Sequence, residues 1–301
     1  MANFTTTTLI DRIKRNAAIP EGQPGFTDQR LIDMLDDEMV SIIVPLLLTY
    51  QEEYYVTSKD FTIDGVKSEF IIPRRAVGSK LREVKLVDKT KPDVDQINLP
   101  RISLSDIERH NFGFYIRRNF LVLLQPEVHK SVDLRLYFFN RPGKLVKENL
   151  TAKITNIDTG TKIITMAAVP STWTTSTLLD MGQGSSPFSG LAIDITITAI
   201  TSTTVTVSSI PTDLAAGDYL SEAEESSIPN TPQEMHLLLC QGVIVKVLEA
   251  LGDQNGLKMA IRKYEEIKES INTLLSPRVV GELKKIHNRD DLLYAGRSIA
   301  I

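Results

Sequence analysis

The chain has 301 residues, 42% hydrophobic and 24% charged, with a formal net charge of −4 and a single cysteine, Cys240. That length holds roughly two domains with sizeable cores, and the acidic balance argues against broad electrostatic capture of nucleic acid or an anionic membrane. One cysteine excludes an intramolecular disulfide and a cysteine-built zinc cluster, so a reducing compartment is expected.

The start, Met1-Ala2-Asn3-Phe4 followed by four threonines, lacks the basic end and apolar run of a secretory leader. Residues 1–26 read as irregular, with a short helix around Leu9, Ile10 and Ile13 and then a linker marked by Pro20, Gly22, Pro24 and Gly25. Thr27 can cap a helix whose apolar positions are Leu31, Leu35, Met39, Ile42, Ile43, Leu46, Leu47 and Tyr50. Pro45 falls inside this pattern and predicts a kink or a break. Asp33, Asp36, Asp37 and Glu38 gather on its first half, near the positive end of the helix dipole, as a solvated face. Residues 40–48, the longest apolar run, contain Ser41 and Pro45 and are too short to span a bilayer; a soluble protein is expected.

After Tyr55 the texture becomes that of strands. Phe61-Thr62-Ile63, an Asp64-Gly65 turn and residues 69–73 predict a hairpin. Residues 81–87 and 133–139 alternate, residues 113–124 carry two strand-like runs around Arg117-Arg118-Asn119, and residues 103–109 read as a short helix or turn. Residues 154–220 then contain an internal repeat. Each copy is a hairpin, a proline corner (Val169-Pro170, Ile210-Pro211) and a further short strand, and two such units can close on each other as a small β-sandwich or barrel. Trp173 is the expected plug of this module.

Residues 231–277 predict two helices in tandem. Thr231, Pro232 and Glu234 make a capping-box start, and a Gly252-Asp253-Gln254-Asn255-Gly256 break separates the helices. The second is expected to bury Leu257, Ile261, Tyr264, Ile267, Ile271, Leu274 and Leu275. The apolar stripes near both ends need partners. The predicted fold is therefore α+β: a discontinuous helical bundle of N- and C-terminal helices around an inserted, mostly antiparallel β region. The expected divisions are residues 1–56, 57–150, 151–220, 221–276 and an arm at 277–301.

A search for chemistry is mostly negative, and neither catalysis, a cofactor nor a metal is expected. His236 and Cys240 share one helical face, but Leu237 to Leu239 lie between them and no further ligand stands nearby, so packing is the expectation. Gly182-Gln183-Gly184 lacks the Gly-Lys-Ser/Thr of a phosphate cradle. Glu222, Glu224 and Glu225 read as a solvated linker, and Arg74-Arg75, Arg117-Arg118 and Lys284-Lys285 as surface charge or inter-subunit ion pairs.

Several phrases resemble the head-to-tail adaptor (neck or connector) proteins of tailed bacteriophages. They are Glu52-Glu53-Tyr54-Tyr55-Val56-Thr57 leading to Lys59-Asp60-Phe61; residues 72–84, from Ile72-Pro73-Arg74-Arg75 to Glu83-Val84; Leu99-Pro100-Arg101; and Leu136-Tyr137-Phe138-Phe139-Asn140-Arg141-Pro142. Leu248-Glu249-Ala250-Leu251-Gly252-Asp253 and Pro277-Arg278-Val279 extend the likeness, which runs from about residue 27 to 289 and rests on order and phrases rather than one strict motif. The resemblance implies a non-enzymatic virion protein, made in the host cytoplasm, that forms a ring of typically twelve copies under the portal and lets DNA pass through. It implies a portal-facing arm, here with Arg278, Lys284, Lys285, Arg289, Asp290, Tyr294 and Arg297. The acids Asp33, Asp36, Asp37 and Glu38 would then meet the neighbouring subunit. The repeated β module is extra to the shorter adaptors and would face tail, nozzle or fibre proteins. The rival readings are a second ring, stopper or tail-completion protein of the neck, and a carbohydrate-binding or hydrolytic virion β protein. The last would need paired acids in one cleft, whereas Asp158, Asp180, Asp194, Asp213 and Asp218 fall in separate turns.

Overall fold

Pro45 has no N–H to give to the preceding turn, and the backbone answers by changing helical register. The computed structural model describes residues 4–20, 22–90 and 96–275. It begins with α1 (Thr6–Asn16), longer than the predicted short helix. α2 (Asp28–Glu38) follows, capped by Thr27, whose hydroxyl accepts from Arg30 N–H at 3.3 Å. A π turn (Met39–Ile43) then leads into α3 (Val44–Tyr50), which holds Pro45 in its first turn. The helix is interrupted at the predicted place, by a change of register rather than a loss of helix, and the wider turn accommodates the missing donor. Leu31, Leu35, Met39, Ile43 and Leu47 all lie fully buried along it.

The next strands are β1 (Val56–Thr62), β2 (Glu69–Ile71), β3 (Ala76–Asp88), β4 (Gln96–Asn98), β5 (Phe114–Arg117), β6 (Phe120–Leu123) and β7 (Val132–Asn140). They form two antiparallel sheets, ordered β1-β7-β3-β4 and β2-β6-β5. The predicted hairpin across Asp64-Gly65 does not form. Asp64 does make a tight turn, its carboxylate accepting from Val66 and Lys67 N–H, both at 2.8 Å. The flanking strands, however, pair elsewhere, β1 with β7 and β2 with β6. The turn passes the chain from one sheet to the other, and Ile63, Phe70, Val84, Leu121, Leu134 and Leu136 share the resulting core. Residues 104–109 form the predicted short helix, as a 3-10 turn.

β8 (Lys144–Leu145) leads into the repeat. Its strands β9 (Ala152–Asp158), β10 (Ile163–Met166), β11 (Leu178–Gly182), β12 (Gly190–Ile200), β13 (Thr204–Val207) and β14 (Tyr219–Glu222) close into a six-stranded antiparallel barrel, ordered β10-β13-β12-β11-β14-β9. Exchanging the two copies (β9 for β12, β10 for β13, β11 for β14) reproduces the same ring, so the barrel has internal pseudo-two-fold symmetry. The proline corners obey it too. Trp173 N–H donates to Pro170 O at 3.1 Å and Leu214 N–H to Pro211 O at 3.3 Å, and both side chains are buried in the barrel core. Further along each corner, Ser176 and Gly217 occupy matching positions with φ of 80° and 103°. Closure leaves no free strand edge. β15 (Glu225–Ser226) follows and pairs in parallel with β8, so the chain enters and leaves the barrel side by side.

The last described elements are α4 (Met235–Leu251) and α5 (Gln254–Leu274). The capping box is not formed. α4 starts after Glu234, the Thr231 hydroxyl has no hydrogen-bond partner among the described residues, and Met235 N–H reaches back only to Pro232 O at 2.9 Å. Burial of the segment before α4 fixes its direction ahead of any side-chain cap. The interhelical break is shorter than predicted: Gly252 takes a φ of 73° that favours glycine, and Asp253 already caps α5 by accepting from Gly256 N–H at 3.0 Å. α5 buries Ala260 and Ile271, and Leu275 just beyond its end is buried too, while Ile261 and Leu274, predicted as core, are 44% and 66% exposed. Among the described residues α5 packs mainly against one neighbour, α4, and a single contact covers only a narrow stripe.

Leu9, Ile13, Leu31, Leu35 and Leu47 lie in the same apolar cluster as Leu145, Leu239, Val243 and Ile271. The first turn of α1 is tied to the segments flanking the barrel, Thr6 N–H donating to Ser227 O and its hydroxyl to Val146 O, both at 2.8 Å.

Candidate functional site

The structure separates the four acids of α2. Asp33 and Asp37 are exposed. Asp36 is half-buried and accepts from Leu145 N–H at 3.1 Å; burial raises its carboxyl above the usual range, with that hydrogen bond and Lys144 opposing. Glu38 is not part of a solvated face at all. It is buried, pairs with Lys246 at 2.7 Å and accepts from the Tyr264 hydroxyl at 3.1 Å. A helix of this amphipathic pattern turns Glu38 onto its buried side, and only a partner far along the chain reveals what satisfies it.

That partner comes as close as it does because of Gly242. A Cβ built there would lie 2.2 Å from Glu38 Oε1. Gly242→Ala should therefore destabilise the protein by about 1–2 kcal/mol, overpacking outweighing the gain in helix propensity. In a Glu38→Ala background the same substitution should become neutral or stabilising by up to about 1 kcal/mol. A double-mutant cycle of chemical denaturation checks it, and additive effects would remove the steric account.

A dense charged cluster lies where the barrel meets the first sheet. Arg75, just before β3, is only 6% exposed. Its Nη1 donates to Asp180 Oδ2 at 2.5 Å, and Nη2 donates to Asp180 Oδ1 at 3.0 Å and Asp194 Oδ1 at 2.8 Å. Asp180 also accepts from Asp194 N–H at 3.1 Å and Glu224 N–H at 2.9 Å, which pins two non-glycine residues with φ of 58° and 69°. Arg74 pairs with Glu224 at 2.7 Å. Burial works against the Arg75 charge, but Asp180, Asp194 and Glu224 outweigh it and hold the guanidinium protonated. Arg75 is thus the centre of an intramolecular clamp rather than surface charge, while Arg74 stays on the surface with its side chain 84% exposed, and Glu224 is part of the clamp rather than a solvated linker. Residues 180 and 194 come together because β11 and β12 are neighbours, a pairing that sequence spacing does not display. The cavity beside the clamp has a volume of about 30 Å³, room for one water rather than a substrate.

His236 and Cys240 are both buried and neutral. Burial pushes the His236 imidazole down to about 4, against hydrogen bonding to the Pro229 and Thr231 backbone, and pushes the Cys240 thiol up to about 12 against the pull of Arg12. Among the described residues no group of three His, Cys, Asp or Glu is placed to hold a metal ion, and no helix is long and apolar enough to cross a membrane. Arg278, Lys284, Lys285, Arg289, Asp290, Tyr294 and Arg297 lie outside the described residues.

The chain matches no protein-family model and no curated protein.

Proposed function

We propose that this is a structural virion protein, a head-to-tail adaptor whose copies form a ring joining the portal to the tail. The observation that carries the reading is the shared helical core: α1, α2 and α3 pack with α4 and α5 in one cluster, although the whole β region lies between them in sequence. This supports a discontinuous helical bundle with an inserted β region, the architecture implied by the adaptor-like phrases from Glu52-Glu53-Tyr54-Tyr55 to Pro277-Arg278-Val279. The exposed acids Asp33 and Asp37 remain available to a neighbouring subunit, whereas Asp36 and Glu38 serve the chain's own fold.

In this reading residues 278–301 engage the portal, twelve copies is the ring size the resemblance implies, and the barrel faces tail or fibre proteins. A formal net charge of −4 suits a channel through which DNA slides with few phosphate contacts. Light scattering of the purified protein, alone and with its cognate portal, is the direct test. A ring-sized complex with portal is expected, and deletion of residues 278–301 should abolish it while leaving the helical and barrel cores folded. A chain that ignores portal would sink the adaptor reading; a truncated chain that still binds would sink only the arm assignment.

A further inference from the structure

The loop between β11 and β12, residues 183–189, leaves the barrel and lies against the helical core. Phe188 is buried there, its ring 5.8 Å from Phe4 and 5.1 Å from His236, while Phe4 lies 4.6 Å from His236. The Tyr54 hydroxyl donates to Pro187 O at 2.6 Å. A strap from the barrel is therefore fastened to the N-terminal segment and to the start of α4 by three packed rings, and the shared ring is ionisable.

We propose that this strap is an acid-released latch: protonation of His236 breaks the three-ring contact and frees residues 183–189 from the helical core while the barrel strands stay paired. The geometry favours the neutral ring. The ring is fully buried between Phe4 and Phe188, with Nε2 donating to Pro229 O at 3.2 Å, so a charge on it would be held out of water, and the backbone of Pro229 and Thr231 offsets that cost only in part. Among the described residues, the charged and titratable groups on the surrounding elements act elsewhere. Cys240 stands one turn along α4 with a thiol kept neutral by burial, Arg12 of α1 acts on Cys240, and Glu234 acts on Tyr54. In the barrel, Asp218 accepts from Gly184 N–H at 3.0 Å within the strap itself.

The imidazole's folded value of about 4 lies below its ordinary 6.5. The opened strap therefore binds the proton first, and closure is fully stable above about pH 6.5 and weakens as pH falls towards about 4. By that linkage the open population should rise by up to roughly 30-fold between about pH 7.5 and about pH 5, the full factor applying when the released ring regains its ordinary value. Hydrogen exchange of the full-length chain, corrected for intrinsic pH dependence, reads this directly. The amides of Gln183, Gly184 and Phe188 bond to Ser189 O, Asp218 Oδ1 and Ser185 O, contacts that open when the freed loop loses its support; they should lose up to roughly 30-fold in protection, and those of Ile164 and Val205 in the barrel wall should not. His236→Phe should flatten the response, and His236→Gln does the same test should the phenylalanine variant fail to fold. Unchanged strap protection at low pH would overturn the proposal. So would equal loss across the barrel, or an undiminished response in either variant, which would point to Asp218.

Discussion

Arg75→Ala is expected to cost about 3–5 kcal/mol of folding stability, because it leaves Asp180 partly buried with its ionic partner gone. The guanidinium does two jobs: it covers both oxygens of Asp180 and reaches Asp194. Arg75→Lys should recover only part of the loss, since one ammonium cannot fork across two carboxylates. The damage should concentrate where the barrel joins the sheet. Chemical denaturation followed by fluorescence of Trp173, the chain's one tryptophan, reports the barrel, and circular dichroism weights the helices. The two transitions should separate in the Ala variant. A loss under about 1 kcal/mol would show that water replaces the arginine without difficulty, and that the clamp is ornamental to stability.

Trp173→Ala should be of similar size, about 3–5 kcal/mol, for a different reason: it empties the corner that plugs the barrel. The indole is 4% exposed and its Nε1–H has no hydrogen-bond partner among the described residues, so it contributes volume rather than a polar contact. Trp173→Phe should accordingly cost only about 1–2 kcal/mol, well below the Ala variant. Leu214 fills the symmetry-related corner, so Leu214→Ala offers a smaller version of the same defect within the same barrel. Calorimetry suits these variants, because the fluorophore itself is removed. Equal losses for Phe and Ala at position 173 would mean that the indole nitrogen carries an interaction.

Local signals were readable wherever the physics is local. The repeat of hairpin, proline corner and strand marked the six strands of the module, because each copy carries the same turn chemistry, but left barrel and sandwich open until the strand pairing was seen. Thr27 announced a real cap. Thr231 and Glu234 presented the same kind of signal without forming one, because burial of the preceding segment decides where α4 begins. The Asp64 turn was legible but its strand partners were not: β1 and β2 choose β7 and β6, and nothing in a two-residue turn states which sheet each flank will join. Glu38 and Arg75 were hidden most completely. Each is a charged residue amid other charged residues, and what buries it stands over a hundred positions away: Lys246 and Tyr264 for the first, Asp180 and Asp194 for the second.

The helical core also sets an order of events at the ribosome. Glu38 and Tyr264, which meet inside it, are 226 residues apart. At roughly 5–20 residues per second, α1 to α3 wait on the order of 10–45 s before their partners are even synthesised. The barrel waits far less, since its strands all lie between Ala152 and Glu222 and close on one another. A nascent chain thus carries a finished barrel and an uncovered apolar stripe at the same time, and that stripe, rather than the strand-rich middle, is what a chaperone would have to shield.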